Sequence, residues 1–123
     1  MSLVILANVH EIEEGVQQVR AVIERDGSSH FQPWSEPERR IAHRLGFVKG
    51  SNHELRTFYF LPEGWKTACQ GYDPGAIARE LVARGVLEAG SDGKTSKVVK
   101  LPGLGSRRCY VLRSDAFTES DEI

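Results

Sequence analysis

The sequence predicts an α+β domain in which two short helices joined by a tight turn lie between two β-hairpins. Three observations carry this. Apolar residues recur at spacings of three and four in three stretches, which puts each set on one face of a helix. Stretches rich in aromatic and β-branched residues flank the later two, bounded by Gly-, Pro- and Asn-containing turns. At 123 residues with 40% hydrophobic content, the chain can furnish one core without disulfides or metals.

From residue 9 to 26, Val9, Ile12, Val16, Val19, Val22 and Ile23 share one side of a helix that Gly27 ends. SSHFQPWSEP, residues 28–37, reads as an irregular connection pinning Phe31 and Trp34 onto the core. Residues 40–48 place Ile41, Leu45 and Phe47 in strand alternation, and LRTFYFL, residues 55–61, is a second strand across the turn KGSNHE. EPERRIAHRL also suits a short helix started by Ser35 and Pro37. In the second strand either Phe58 with Phe60, or Tyr59, faces away from the core unless the first helix covers it.

Pro62 suits the first turn of a helix to about residue 70, with Trp65 and Cys69 on one face; Gly71 and Tyr72 break it. Asp73-Pro74 is a helix start: the Asp oxygen accepts an unpaired amide hydrogen bond and proline fits the first helical position. That helix runs to Arg84, buries Ile77, Ala78, Leu81 and Val82, and is capped by Gly85. Val86 and Leu87 then enter the sheet. Strands at 96–101 and 108–113, joined by PGLGS, complete the second hairpin.

Helix, β-hairpin, helix-turn-helix and hairpin make up a winged-helix-like order. It divides the chain into an N-terminal helix packing on the core (1–27), a winged-helix-like domain (28–114) and an acidic tail (115–123).

Net charge is −1 from 16 basic and 17 acidic residues, which by itself announces no nucleic-acid binder. The distribution does more. Lys94, Lys97, Lys100, Arg107, Arg108 and Arg113 occur without one acidic residue between residues 94 and 113, whereas Asp115, Glu119, Asp121 and Glu122 crowd the end. Cys69 and Cys109 lack a CxxC partner and read as buried thiols of a reducing cytosol. The apolar run at residues 3–7 is far short of the ~20 residues a spanning helix needs, so a cytoplasmic protein with no membrane partner is expected. Met-Ser-Leu followed at once by that run reads as the start of a fragment cut from a longer protein.

ARELVARGVLEAGSDGK resembles the end of the third helix and the entry to the wing in winged-helix proteins. More narrowly, the succession SSHF, RLGFVKG, FYFLPEGWKTACQGYDPGAIARELVARGVLE and KVVKLPGLGSRRCYVL resembles the C-terminal region of a bacterial family. That family is carried by phages and integrative elements and described as helicases or primase-associated ATPases, with a RecA-like ATPase portion upstream. The resemblance implies a setting in mobile-element DNA replication. It implies no ATPase activity for this chain, because Gly93-Lys94-Thr95 lacks the preceding glycine of a phosphate loop.

The functional expectation is a non-catalytic, helicase-associated DNA-binding domain whose wing lies along phosphates. Its contacts are Lys94, Lys97, Lys100, Arg107 and Arg108 on the wing, supported by Lys66, Arg79 and Arg84 from the helix pair. Along a strand Lys97 and Lys100 fall on opposite faces, so they cannot form one outward row. The plain alternative for these cations is a solvated hairpin with lysines guarding its edge. The alternative function is a protein-interaction module, docking onto its own ATPase portion or a replication partner through the N-terminal helix or the aromatic strand. No cofactor, metal or catalytic constellation is expected: the four histidines have no metal-ligand spacing, and nothing near Cys69 supplies a base.

Overall fold

A computed structural model describes residues 2–26, 29–50 and 56–120. The elements are α1 (Ser2–Asp26), β1 (Phe31–Pro33), β2 (Gly46–Lys49), β3 (Thr57–Phe60), α2 (Pro62–Ala68), α3 (Pro74–Ala83), β4 (Lys97–Leu101), β5 (Gly105–Arg113) and α4 (Ser114–Ser120). Among the described residues the fold is α+β, with four helices and a five-stranded mixed sheet ordered β1-β2-β3-β5-β4. Only β1 and β2 are parallel.

The helix-forming signals act as the sequence indicates. Val16, Val19, Val22 and Ile23 of α1 are buried, although the helix begins at Ser2 rather than near residue 9. Asp73 caps α3, its Oδ1 accepting from the amides of Gly75 at 3.0 Å and Ala76 at 3.2 Å. Gly85 follows α3 at φ 77, the left-handed conformation glycine tolerates best. The side-chain amide of Gln18 donates to the carbonyls of Ala68 (2.9 Å) and Gln70 (2.8 Å), so α1 satisfies groups left open at the end of α2.

Strand alternation sorts the aromatics onto two faces. Phe58, Phe60 and Leu112 turn to the helices and join Phe31, Trp65, Ile77 and Leu81 in the main core. Phe47 and Val111 turn the other way, into a smaller cluster with Leu101 and Cys109, against which Trp34, Tyr59 and Leu104 pack. Tyr59 therefore belongs to the face that the helices do not cover, and it is covered in part by Trp34 at 4.7 Å between ring centroids.

Several expectations are corrected. The supposed irregular segment 28–37 contains β1, whose Pro33 is tolerated because β1 is an edge strand. The first hairpin strand is confined to Gly46–Lys49, and the residues before it are turns, neither strand nor helix. Leu45 precedes that strand and packs on the main core, while Phe47 faces the second cluster. Most of the turn read at KGSNHE lies outside the described residues. The acidic tail read from residue 115 onward begins as part of α4 (Ser114–Ser120), whose Phe117 is 2% exposed and packed in the main core.

The cause of the turns before β2 is Gln32. It is buried, and its Nε2 lies 2.9, 2.9 and 2.7 Å from the carbonyl oxygens of Glu36, Pro37 and Arg39, while its Oε1 accepts from Arg44 at 2.9 Å. Main-chain carbonyls that bond to this side chain are withdrawn from any helix or ladder.

Two stability outcomes follow from this packing. A Cβ at Gly64 would lie 1.9 Å from the carbonyl oxygen of Leu45, backbone that cannot swing aside, so Gly64→Ala should cost about 3 kcal/mol in urea unfolding. Gln32→Leu should cost about 2 kcal/mol and speed tryptic cleavage at Arg39 and Arg40, since it leaves Arg44 and the gathered carbonyls without their partner. A variant as stable and as protease-resistant as the parent would remove Gln32 from this account.

Candidate nucleic-acid interface

β5 positions the hairpin. Its Tyr110–Arg113 half pairs with β3, and its Gly105–Cys109 half pairs with β4 beyond the end of β3. At the far end Leu101 is nevertheless only 2% exposed, so the two-stranded ribbon curls toward the face that carries Phe47. Lys97, Val99 and Leu101 share that face with Arg107 and Cys109, while Val98 and Lys100 share the opposite face with Arg108 and Tyr110.

The basic residues are not equivalent. Lys97 Nζ lies 3.2 Å from Glu88 Oε1. Arg108 donates to the Ser96 carbonyl at 3.0 Å and lies 3.4 Å from Asp92 Oδ2. The Asp92 carboxyl is held below the usual carboxylate range by the Lys94 amide and then by the Arg108 charge. Arg113 pairs with Asp115 at 3.4 Å. Among the described residues no carboxylate pairs with Lys100 or Arg107, and both are exposed; Lys94, also exposed, has no carboxylate within ion-pair distance but its charge helps to hold the Asp92 carboxyl low. The charge cluster legible in the sequence is thus divided into neutralised and unneutralised members.

The supporting residues from the helix pair do not join the hairpin. Arg84, the C-terminal cap of α3, is held by Glu80 of that helix at 2.8 Å and by Glu13 of α1. Arg79 lines a cavity of about 280 Å³ at the seam of α1 and α3, with Glu11, Tyr72 and Asp73. Lys66 is exposed on α2, with Glu63 3.7 Å away. Arg79 on α3 and Arg84 at its C-terminal cap therefore border or brace the α1 seam, and among the described residues neither pairs with a residue of β4 or β5.

One cationic position escapes a reading of the sequence. Lys49 lies with its Nζ 4.9 Å from the centre of the Trp34 ring, beside a groove of about 560 Å³ also bordered by Glu36, Arg39 and Arg56. Trp34 reads from sequence as a core residue, and only the alternation of β2, which puts Lys49 on the face of Phe47, hints at this pairing.

Nucleophilic chemistry has no support in the thiols. Burial pushes the Cys69 thiol up to about 12 and the Cys109 thiol up to about 11, so neither is a thiolate near neutral pH. Among the described residues no three His, Cys, Asp or Glu side chains are grouped to hold a metal, and no helix is long and apolar enough to cross a membrane. Comparison with protein-family models, with curated proteins and with solved structures finds no match for the chain.

The Glu13–Arg84 contact yields a pH prediction. The Arg84 hydrogen bond holds the Glu13 carboxyl below its ordinary range, so its contribution is present above the unfolded-state pKa and is lost as pH falls through the folded value. Glu13→Gln should therefore lower stability by about 0.5 kcal/mol at neutral pH, a small effect because the pair is partly exposed to solvent. The difference from the parent should vanish once acid has protonated Glu13. A penalty that persists unchanged in acid would contradict this assignment.

Proposed function

We propose that this chain is a non-catalytic, DNA-binding module of winged-helix type, an accessory part of a replication ATPase or primase-type protein of a mobile element. The observation that carries the reading is the β4–β5 hairpin with Lys100 and Arg107 exposed and without carboxylate partners among the described residues, and Lys94 exposed just before β4. The arrangement supports the fold half of the reading: α2 and α3 fall between β3 and β4 in the chain, and β3, β5 and β4 lie side by side in the sheet.

Contacts to phosphate, rather than base readout from α3, suit the engagement of Arg84 with Glu13 and Glu80. The protein-docking alternative has weaker support. Among residues 10–25, 29–50 and 56–117, whose side-chain burial is described, Val98 at 58% exposed is the one large hydrophobic that stands clearly in solvent, which by itself is far from the patch of several hundred Å² that marks a protein interface.

These three exposed cations give a quantitative expectation. Each phosphate contact contributes about −0.7 to −0.9 to the slope of log affinity against log salt, so the chain should show a slope of about −2 to −3. Lys100→Glu with Arg107→Glu should abolish DNA binding in a fluorescence-anisotropy titration while leaving the thermal unfolding profile unchanged. Undiminished affinity in that double variant would contradict the reading. A parent slope near about −5 would mean that the cations paired with Glu88, Asp92 and Asp115 contribute as well.

A further inference from the structure

The sheet face away from the helices is the most distinctive unassigned surface. Pleating puts Lys49, Phe47, Tyr59, Val111, Cys109 and Arg107 on this one face, in a path that crosses β2, β3 and β5. Trp34 lies over its β2 end, half-buried, 4.7 Å from Tyr59 and 6.3 Å from Phe47 between ring centroids. From Lys49 to Arg107 the path spans roughly 22 Å, two inter-strand steps and about six residues along β5, because Lys49 is in register with Thr57 and Thr57 with Arg113.

The charge along this path is positive at both ends. The acidic groups bordering it are already engaged: Glu88 by Lys97 at 3.2 Å and Glu36, more loosely, by Arg39 at 3.8 Å. Lys49 and Arg107 are exposed, and neither has a carboxylate partner among the described residues. Lys49 instead rests over the Trp34 ring, a cation–π contact that at an exposed site is worth little and is readily exchanged for a phosphate.

We propose that this face holds a single strand of nucleic acid, with an unpaired base stacked on Trp34 and phosphates a few nucleotides apart along the strand paired with Lys49 and Arg107. The inference rests on the reading of the hairpin as a nucleic-acid contact, and it names the strand state of the substrate. Binding moves the Lys49 ammonium from the indole to a phosphate and frees the ring face for the base. Half-buried aromatics bordered by cations suit a single strand because its bases offer open π-faces, whereas those of a duplex are already stacked on one another. Lys100, on the other face of the ribbon, takes no part and serves as the reference position.

The test uses the full chain and three probes: oligothymidylate of about ten nucleotides, a duplex of similar length, and oligoglutamate. Lys49→Glu removes the cation, and Trp34→Leu removes the stacking ring while keeping an apolar filler; circular dichroism checks that both remain folded. The expected result is oligothymidylate bound more tightly than duplex, with quenching of tryptophan fluorescence. Each variant should weaken oligothymidylate binding about tenfold and leave duplex binding unchanged. Unchanged oligothymidylate affinity in Lys49→Glu overturns the proposal even if Trp34→Leu proves unstable. Oligoglutamate that displaces oligothymidylate at equal charge concentration overturns it in favour of an acidic protein partner. If Lys100→Glu weakens duplex binding while Lys49→Glu leaves both nucleic acids unaffected, the hairpin reading stands without this one. If the parent chain binds neither nucleic acid, both fall.

Discussion

The divided pairing of β5 is the constraint on which the rest of the structure depends. This strand has nine residues, whereas β3 has four and β4 has five, so no single neighbour can satisfy its backbone. One half completes the β2–β3 sheet and the other half carries β4 past its end. The main-chain ladder thereby ties the hairpin rigidly to the core, and Leu101 and Leu104 anchor its far end through apolar contact. A ribbon held at both ends presents its remaining charged side chains in defined directions.

The same alternation along β3 and β5 divides the interior. On the helix side, Phe31 meets Phe58 and Phe60 edge-on at 4.9 and 5.0 Å, and Phe60 meets Trp65 edge-on at 5.0 Å, geometries worth ~0.5–1.5 kcal/mol each beyond burial. On the other side the cover is thinner, and the surface bears half-buried aromatic rings beside cations. The helix-facing side of the sheet is thus committed to stability. The hairpin and the helix-free face carry the exposed cations Lys49, Lys100 and Arg107, and both proposals are placed there for that reason.

Elements whose signals are local were legible in the sequence. Asp73-Pro74 and Gly85 bracket α3 because capping is decided within a few residues, and the valines of α1 fall on one face because periodicity needs no partner. Elements made by distant contacts were not. Gln32 gathers carbonyls that any residues at 36, 37 and 39 would supply, so the turns it creates leave no composition signal. α4 is acidic, and its place in the core rests on the single residue Phe117. The charge cluster was visible, but its partition was not. Arg84 finds Glu13 across 71 positions, and Lys97 finds Glu88 only because the chain doubles back before β4. Counting like charges along a sequence overestimates the charge that a partner meets.

The most direct measurement of the central claim is a backbone-amide NMR titration of the chain with a short DNA duplex at low salt. The account predicts chemical-shift changes concentrated in residues 94–107, with the amides of α3, residues 74–83, essentially unmoved. Changes gathered along α3 and its seam with α1, with the hairpin silent, would contradict it.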